Sequence, residues 1–230
     1  MTEHTVRSFS ADLEELSVDL ARMGGLAEDM LSDAIQAIGT RDSALADTVV
    51  ARDPQIDNLQ VEAEKKILRL LALRQPLARD LRQTISALKI AAELERIGDL
   101  AKNIAKRAKV LDIVEPVAAL KGVARMGRLV IAQLKRVLDA YSAQETEAAN
   151  KVWTRDEEVD EHYQSLFREL LTYMMEDPRT ISGCAHLLFV AKNLERIGDH
   201  CTNIAEEVHF LVTGETLTSE RPKVDALNSN

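Results

Sequence analysis

One twelve-residue segment occurs twice in the chain, one hundred residues apart. The segment LERIGDLAKNIA begins at Leu94, and LERIGDHCTNIA begins at Leu194. Upstream the correspondence continues, because Met23-Gly24 matches Met126-Gly127 at a spacing of 103 residues. Solenoid repeats are roughly 20–50 residues long, whereas this spacing is the length of a small domain. The chain of 230 residues is therefore a tandem duplication of a unit of about 100 residues.

Apolar residues in each copy recur every three or four positions, which is the period of an amphipathic helix. The first such stripe consists of Phe9, Leu13, Leu16, Leu20, Met23, Ala27, Met30, Ala34 and Ala37. Two further stripes follow at 45–70 and 90–108, and the second copy has its own at 120–141, 152–173 and 190–208. The pattern predicts an all-α protein made of two tandem antiparallel three-helix bundles, with six long helices.

Turn-forming residues indicate where the helices of the first copy begin and end. Gly39 is expected to cap the first helix, because glycine readily takes the left-handed conformation found there. Asp42 is expected to open the second helix as its N-cap. Gln75-Pro76 is expected to end it, because the residue before proline disfavours the α-helical conformation.

The same periodicity predicts the domain limits. The first repeat is expected to span residues 1–114 and the second residues 115–214, with a linker near Pro116. Residues 215–230 lack apolar periodicity and are expected to form a mobile tail. Aromatic residues make up only 3% of the chain, which favours helices packed through aliphatic seams over a β-sandwich.

Charge and hydropathy exclude several classes of protein. The net charge is −9, and no block of basic residues marks a nucleic-acid-binding surface. No apolar run approaches the roughly 20 residues of a transmembrane helix, and the N-terminal residues do not resemble a signal peptide. Cys184 and Cys201 form no CxxC pair and are expected to be buried free thiols in a reducing compartment. We therefore expect a cytoplasmic protein.

Each copy also places acidic residues four apart on its middle and third helices. These residues are Asp53, Asp57, Glu95 and Asp99 in the first copy, and Asp156, Asp160, Glu195 and Asp199 in the second. Residues four apart lie on one helix face, and the two helices are neighbours in an antiparallel bundle. Four carboxylates are expected to converge in each copy and to need cations for neutralisation. Oxygen ligands suit Mg, Mn, Ca or ferric iron, so the pattern predicts metal binding.

Other interpretations of the acids stay open at this level. Asp53 precedes Pro54, a pairing typical of a helix N-cap followed by proline at the first helical position. Its counterpart Asp156 is followed by Glu157, and the helix there is expected to continue without a break. A charged stripe on a helical bundle is also commonly a solvated face.

Catalytic motifs are absent from the sequence, which predicts a protein that is not an enzyme. Ferritin-like di-iron bundles need two Glu-x-x-His motifs. The chain has one, Glu206 to His209, and its counterpart in the first copy runs from Lys106 to Lys109. His200, which follows Asp199, is a possible further metal ligand, although a histidine at such a position is more often a surface or seam residue.

The segments LALRQPLARDLRQTISALKIAAELERIGDLAKNIAKR and NLERIGDHCTNIAEEV closely resemble the two halves of PhoU-family proteins, the phosphate-specific transport system accessory proteins. The resemblance covers nearly the whole chain, and the doubled ERIGD sequence is quite specific. It implies a fold of two three-helix bundles, which agrees with the prediction from periodicity.

The resemblance implies a regulator of phosphate homeostasis. PhoU-like proteins are negative regulators of the phosphate-starvation response and limit phosphate uptake. They are thought to link the ATPase subunit of the phosphate ABC importer to a sensor histidine kinase at the inner face of the membrane. We accordingly expect a homodimer that reaches the membrane only through these partners. The alternative is a metal-independent helical scaffold in the same pathway or, with less support, a metal-storage bundle.

The resemblance also implies iron or zinc clusters on paired E(D)xxxD motifs. In this sequence the motifs match the eight acids of the two copies. The copies are not identical, since Leu100 corresponds to His200 and Lys102 corresponds to Thr202. These differences leave open a difference in metal affinity between the two sites.

Overall fold

The protein forms two three-helix bundles side by side, in a computed structural model that describes residues 3–112 and 119–217, with side chains from residue 11 onward. The helices are α1 (Glu3–Thr40), α2 (Ser43–Arg74), α3 (Ala78–Leu111), α4 (Leu120–Ala143), α5 (Thr146–Thr154), α6 (Asp156–Glu176) and α7 (Ile181–Thr213). A short 3₁₀ helix, Pro178–Thr180, precedes α7. The predicted fold class is confirmed. The predicted linker at Pro116 and most of the predicted tail lie outside the described residues.

The turn between α1 and α2 differs from the sequence prediction at one position. Helix α1 continues through Gly39, so the predicted cap at this glycine was wrong. Arg41 takes the left-handed conformation instead, with φ 56°, and Asp42 N donates to Ala37 O at 3.0 Å. This hydrogen bond is the wider of the two bonds that define a Schellman motif at a helix C-terminus. It places the left-handed residue at Arg41 and not at Gly39. Asp42 is confirmed as the N-cap of α2, because its Oδ1 accepts from Leu45 N at 2.9 Å.

The middle helix is continuous in the first repeat, as the apolar seam predicted, and divided in the second, where the helix was expected to continue without a break. Helix α2 runs through Pro54, so Asp53 is not an N-cap. In the second repeat the chain leaves helical geometry at Arg155, whose N donates to Val152 O at 3.2 Å. The acids at 156–158 then form the first turn of α6. Negative side chains are stabilised at a helix N-terminus, which favours a new helix start at this point.

The two repeats are joined through antiparallel packing of α3 against α7. Ser86 Oγ donates to Glu207 O at 3.5 Å near one end of this contact. Towards the other end, Arg107 Nη1 lies 3.2 Å from His186 Nδ1. Buried aliphatic side chains of both helices belong to one core that is continuous through the two bundles.

The repeated Met-Gly pair noted in the sequence marks a second contact between the repeats, between α1 and α4. A Cβ atom built on Gly24 would lie 2.6 Å from Leu138 Cδ2. The corresponding position on Gly127 would lie 2.9 Å from Ile35 Cδ1. Ile35 and Leu138 are themselves 103 residues apart, so each glycine receives the equivalent side chain of the other repeat. The glycines thus permit the close approach of α1 and α4.

The glycine of the doubled ERIGD sequence has a different packing role in each repeat. A Cβ atom on Gly98 would lie 2.8 Å from Ile56 Cδ1, a distance that forces the buried isoleucine to move. On Gly198 the nearest atom would be Val159 Cγ1 at 3.4 Å, which is an ordinary contact. Close packing of α2 on α3 therefore requires glycine in the first repeat only.

We predict that Gly98→Ala and Gly198→Ala change stability in opposite directions. Overpacking costs about 1–3 kcal/mol, whereas alanine gains about 1 kcal/mol of helix propensity over glycine. Gly98→Ala should therefore lose up to about 2 kcal/mol, and Gly198→Ala should gain up to about 1 kcal/mol. Urea unfolding of both variants measures these changes.

A compensating variant checks the cause. Ile56→Val introduces the smaller side chain that the second repeat carries as Val159, and it should recover part of the loss caused by Gly98→Ala. Equal effects of the two glycine substitutions would contradict the packing explanation.

Candidate metal-binding clusters

The first cluster consists of Asp53 and Asp57 on α2 and Glu95 and Asp99 on α3. Helices α2 and α3 pack closely where Ile56 meets Gly98, so acids that flank these two positions face the same groove. Asp53 is buried, Glu95 and Asp99 are half-buried, and Asp57 is exposed. The structure therefore places the predicted acids of the first repeat close enough together that their charges raise the pKa values of Asp57 and Glu95.

Lys102 lies inside this first cluster. Its Nζ donates to Asp53 Oδ2 at 2.7 Å and to Asp99 Oδ1 at 2.5 Å, which joins α2 to α3. Only 19% of the side chain is exposed. Burial lowers the pKa of Lys102, but the two hydrogen bonds raise it by more, so the ammonium is charged at neutral pH. Sequence analysis noted that Lys102 corresponds to Thr202 but assigned it no role.

One lysine does not balance four carboxylates. Partial desolvation raises the pKa of the exposed Asp57, and the charges of Asp53 and Asp99 raise it further against the opposing effect of Lys102. The pKa of Glu95 is raised by burial and then by the charge of Asp99. Within the described part of the chain, Asp53 Oδ1 is a buried oxygen without a hydrogen-bond partner. The first cluster therefore keeps excess negative charge.

The second cluster consists of Asp156 and Asp160 on α6 and Glu195 and Asp199 on α7. Asp156 is 3% exposed, and the other three acids are half-buried. The position of the bridging lysine is taken by Thr202, which is fully buried and donates to Gly198 O at 3.0 Å.

A lysine does approach the second cluster, but from its outer edge. Lys192 Nζ lies 2.7 Å from both carboxylate oxygens of Glu195 and donates a well-directed hydrogen bond to Oε1. Half of the Lys192 side chain is exposed. Because the lysine end of this ion pair is half exposed, the pair contributes only about 0–1 kcal/mol.

Gln133 of α4 adds a buried polar side chain beside the second cluster. It is 4% exposed, and its Nε2 donates to Arg155 O at 3.4 Å. Its Oε1 has no hydrogen-bond partner among the described residues. Gln133 Oε1 and Asp156 Oδ1 lie 3.5 and 3.7 Å from the point where a Cβ of Gly198 would stand. Two oxygens of different helices therefore face the space beside this glycine.

Sequence analysis missed Gln133. The signal was present, because Gln133 lies 103 residues after Met30, at a position of the apolar stripe where an amide is unexpected. An alignment of the two copies position by position identifies it.

Neither cluster is arranged as a metal site in its present conformation. Within residues 11–112 and 119–217, no three His, Cys, Asp or Glu side chains are arranged closely enough to hold a metal ion. Carboxylates that share a groove repel each other, so a bound cation would have to draw them together. Gln133 supplies an oxygen outside those four residue types.

The other candidate metal ligands are engaged elsewhere. His200 Nδ1 lies 2.6 Å from Glu93 Oε2, in the seam between α3 and α7. Glu206 accepts from Trp153 Nε1 at 3.1 Å, and His209 Nδ1 lies 3.0 Å from Asn150 Oδ1. The single Glu-x-x-His motif therefore contacts α5 and is not directed at either cluster.

Two further expectations concern the whole chain. Cys184 and Cys201 are buried free thiols, as predicted, and burial raises the pKa of Cys201 well above its usual range. In the described ranges, no helix is both long and apolar enough to cross a membrane.

Comparison with known proteins adds independent information. The model of the PhoU domain family matches the chain twice, at residues 20–108 and 123–208. A Caulobacter vibrioides protein, the phosphate-specific transport system accessory protein PhoU homolog, is 59% identical over 99% of this chain and 100% of its own length. The Escherichia coli phosphate-specific transport system accessory protein PhoU is 38% identical over 94% of this chain and 89% of its own.

Solved structures show the same architecture. The crystal structure of PhoU from Pseudomonas aeruginosa superposes with a TM-score of 0.87 at 41% identity, covering 90% of this chain and all of that one. The phosphate transport system regulatory protein PhoU from Streptococcus pneumoniae superposes with a TM-score of 0.84 at 31% identity, over 91% and 99% of the two chains. Both agree with the tandem bundle fold.

We predict that Glu95→Gln stabilises the metal-free protein at neutral pH. The folded-state pKa of Glu95 is raised, so its ionisation opposes folding, and this penalty is complete above the raised pKa. The penalty vanishes below the ordinary value of 4.5, where Glu95 is protonated in both states. Urea unfolding with a chelator at pH 7 and pH 4 should show a gain that is present only at pH 7.

Glu147→Gln is the matched control for this pH dependence. Lys151 lowers the pKa of the exposed Glu147, so the control substitution should show no gain at pH 7. An equal or larger gain for Glu95→Gln at pH 4 would contradict the assigned cause.

We predict that Lys102→Met destabilises the protein far more than Lys192→Met at pH 7. The first substitution removes two partly buried charged hydrogen bonds and should cost about 2 kcal/mol. The second removes an exposed pair and should cost less than about 1 kcal/mol. Thermal unfolding followed by circular dichroism measures both, and equal losses would show that Lys102 has no special role.

Proposed function

The chain belongs to the PhoU family, and on this basis we propose that it is a phosphate-transport accessory protein that restrains the phosphate-starvation response. The observation that carries the proposal is the 59% identity, over nearly the full length, to a relative named for the phosphate-specific transport system. Both repeats match the family, so the proposal applies to the whole chain.

The proposed mode of action is binding. The protein would link the ATPase subunit of the phosphate importer to the sensor histidine kinase from the cytoplasm, without catalysing a reaction, and it would act as a homodimer. Exposed apolar side chains support such contacts. Leu73 and Leu77 lie at the α2–α3 end of the first repeat, and Met175 and Ile181 lie at the α6–α7 end of the second. Because α3 and α7 are antiparallel, these surfaces are at opposite ends of the protein, which suits an adaptor with two partners.

Metal binding at the acidic clusters is a second part of the proposal. Carboxylate oxygens suit iron or zinc, as the family resemblance implies, and also Mg, Mn or Ca. A cation shared by neighbouring helices would neutralise repelling carboxylates and stiffen that face of the bundle. The buried Gln133 Oε1 supports this part of the proposal, because it has no hydrogen-bond partner among the described residues and faces the same space beside Gly198 as Asp156 Oδ1.

Complementation of a deletion strain tests the regulatory role. Wild-type protein should repress starvation-gene expression in high phosphate, measured with a transcriptional reporter. If the reporter stays as active as in the uncomplemented strain although the protein is present and folded, the proposed function is wrong.

An eightfold variant with the cluster acids changed to Asn or Gln separates the metal-dependent regulator from the metal-independent scaffold. Loss of repression supports the former, and full repression supports the latter. A matched control replaces exposed acids outside both clusters, such as Asp29, Glu62 and Glu161, and should repress normally. Circular dichroism of each purified variant confirms that it folds.

A further inference from the structure

The position between the helices that a shared cation would take in the first cluster is already filled by a positive charge. Lys102 Nζ contacts one carboxylate from α2, on Asp53, and one from α3, on Asp99. A metal ion at this point would have to displace the ammonium. The displaced lysine would lose two charged hydrogen bonds from a side chain that is only 19% exposed. Removing the partner of a partly buried charge is costly.

The second cluster differs from the first at two equivalent positions. Thr202 stands where the first repeat has Lys102, and its hydroxyl is used by the backbone of its own helix. Gln133 stands where the first repeat has Met30. Thus the second repeat has a neutral hydroxyl where the first has a cation, and an amide where the first has a methionine.

The buried amide oxygen of Gln133 has no hydrogen-bond donor among the described residues, so a hydrogen-bond donor or a cation beside it would stabilise it. A buried polar atom without a hydrogen bond costs free energy, and such atoms are rare in native proteins. Gln133 Oε1 faces the same space as the buried Asp156 Oδ1, beside Gly198. A neutral amide oxygen next to a carboxylate is a common donor pair for a hard cation.

We propose that the two clusters use different cations: the Lys102 ammonium in the first, and a hard metal ion ligated by Asp156 and Gln133 Oε1 in the second. Asp160, Glu195 and Asp199 supply further carboxylate oxygens to the second site. This inference rests on the metal-binding part of the proposed function and assigns it to one repeat. Lys192 does not replace Lys102, because it is half exposed and contacts only Glu195 of the cluster.

Exchange of the differing residues between the repeats provides the test, with Mn²⁺ as the probe. Chelator-treated full-length protein is titrated with Mn²⁺, and free ion is counted by electron paramagnetic resonance. Wild-type protein should bind at one cluster, with binding removed by Asp156→Asn and retained in Asp53→Asn. Lys102→Thr should add binding at the first cluster, which Asp53→Asn then removes.

Gln133→Met, which introduces the residue of the first repeat, should weaken Mn²⁺ binding about tenfold or more through loss of an oxygen ligand. Gln133→Glu retains an oxygen and should bind at least as tightly as wild type. The matched control is Met30→Gln, which leaves Lys102 in place and should add no binding. Circular dichroism shows whether each variant is folded before it is titrated.

Several results would overturn the inference. The first is that Asp53→Asn removes the Mn²⁺ binding of the wild-type protein. The second is that Lys102→Thr binds the same number of Mn²⁺ ions as wild type. The third is that Gln133→Met folds and binds Mn²⁺ with unchanged affinity. The proposed regulatory function is tested separately, by repression in the deletion strain. Normal repression with Mn²⁺ bound equally at both clusters would reject only the division between the repeats. Correct Mn²⁺ binding without repression would reject only the regulatory function.

Discussion

Helices α3 and α7 pack against each other in an antiparallel contact, and every other helix in the described part of the chain packs against one of these two. These are the two helices that carry the ERIGD sequence, and each is the third helix of its own bundle. On one side of the contact Lys89 Nζ lies 2.7 Å from Glu207 Oε1. At the equivalent positions on the other side, Arg107 lies over the ring of Phe189 at 4.5 Å. The repeats are thus related as halves of a pseudo-symmetric dimer, with an ion pair on one side and a cation–π contact on the other.

Duplication has left the packing residues nearly equivalent while the polar residues have diverged. Gly24 and Gly127 each receive the equivalent side chain of the other repeat, so the contact of α1 with α4 is preserved. Glu93, by contrast, contacts His200 and Asn203 of the second repeat, and the residue equivalent to His200 is Leu100. The acidic clusters follow the same rule. The carboxylates occur in both repeats, but the polar groups beside them differ: Lys102 in the first cluster and Gln133 in the second.

Periodicity and turn residues were sufficient to predict the fold. Apolar spacing is set by helix geometry, and the end of α2 at Gln75-Pro76 follows from the steric effect of proline. The capping residue of α1 was not predictable in this way. Arg41 takes the left-handed conformation in a turn closed by the bond from Asp42 N to Ala37 O, and no local preference of arginine indicates it. The break before Asp156 likewise depends on a run of acids whose effect competes with helix propensity.

The carboxylates of the candidate site could be predicted from the sequence, but the cation that neutralises part of their charge could not. Spacing places Asp53 and Asp99 on facing helices, yet it does not show that Lys102 reaches across to both. Such reach depends on the rotation of each helix about its axis and on side-chain burial. Gln133 differs from its equivalent Met30, so the sequence marks it as unusual, but its role depends on the carboxylate oxygen that it faces in the structure.

Anomalous diffraction from crystals soaked in Mn²⁺ tests the division between the two clusters most directly. The account predicts an anomalous peak beside Gly198, within ligand distance of Gln133 Oε1 and Asp156, and continuous density for Lys102 between Asp53 and Asp99. Equal anomalous peaks in both clusters, or a peak in the first with Lys102 turned away, would contradict it.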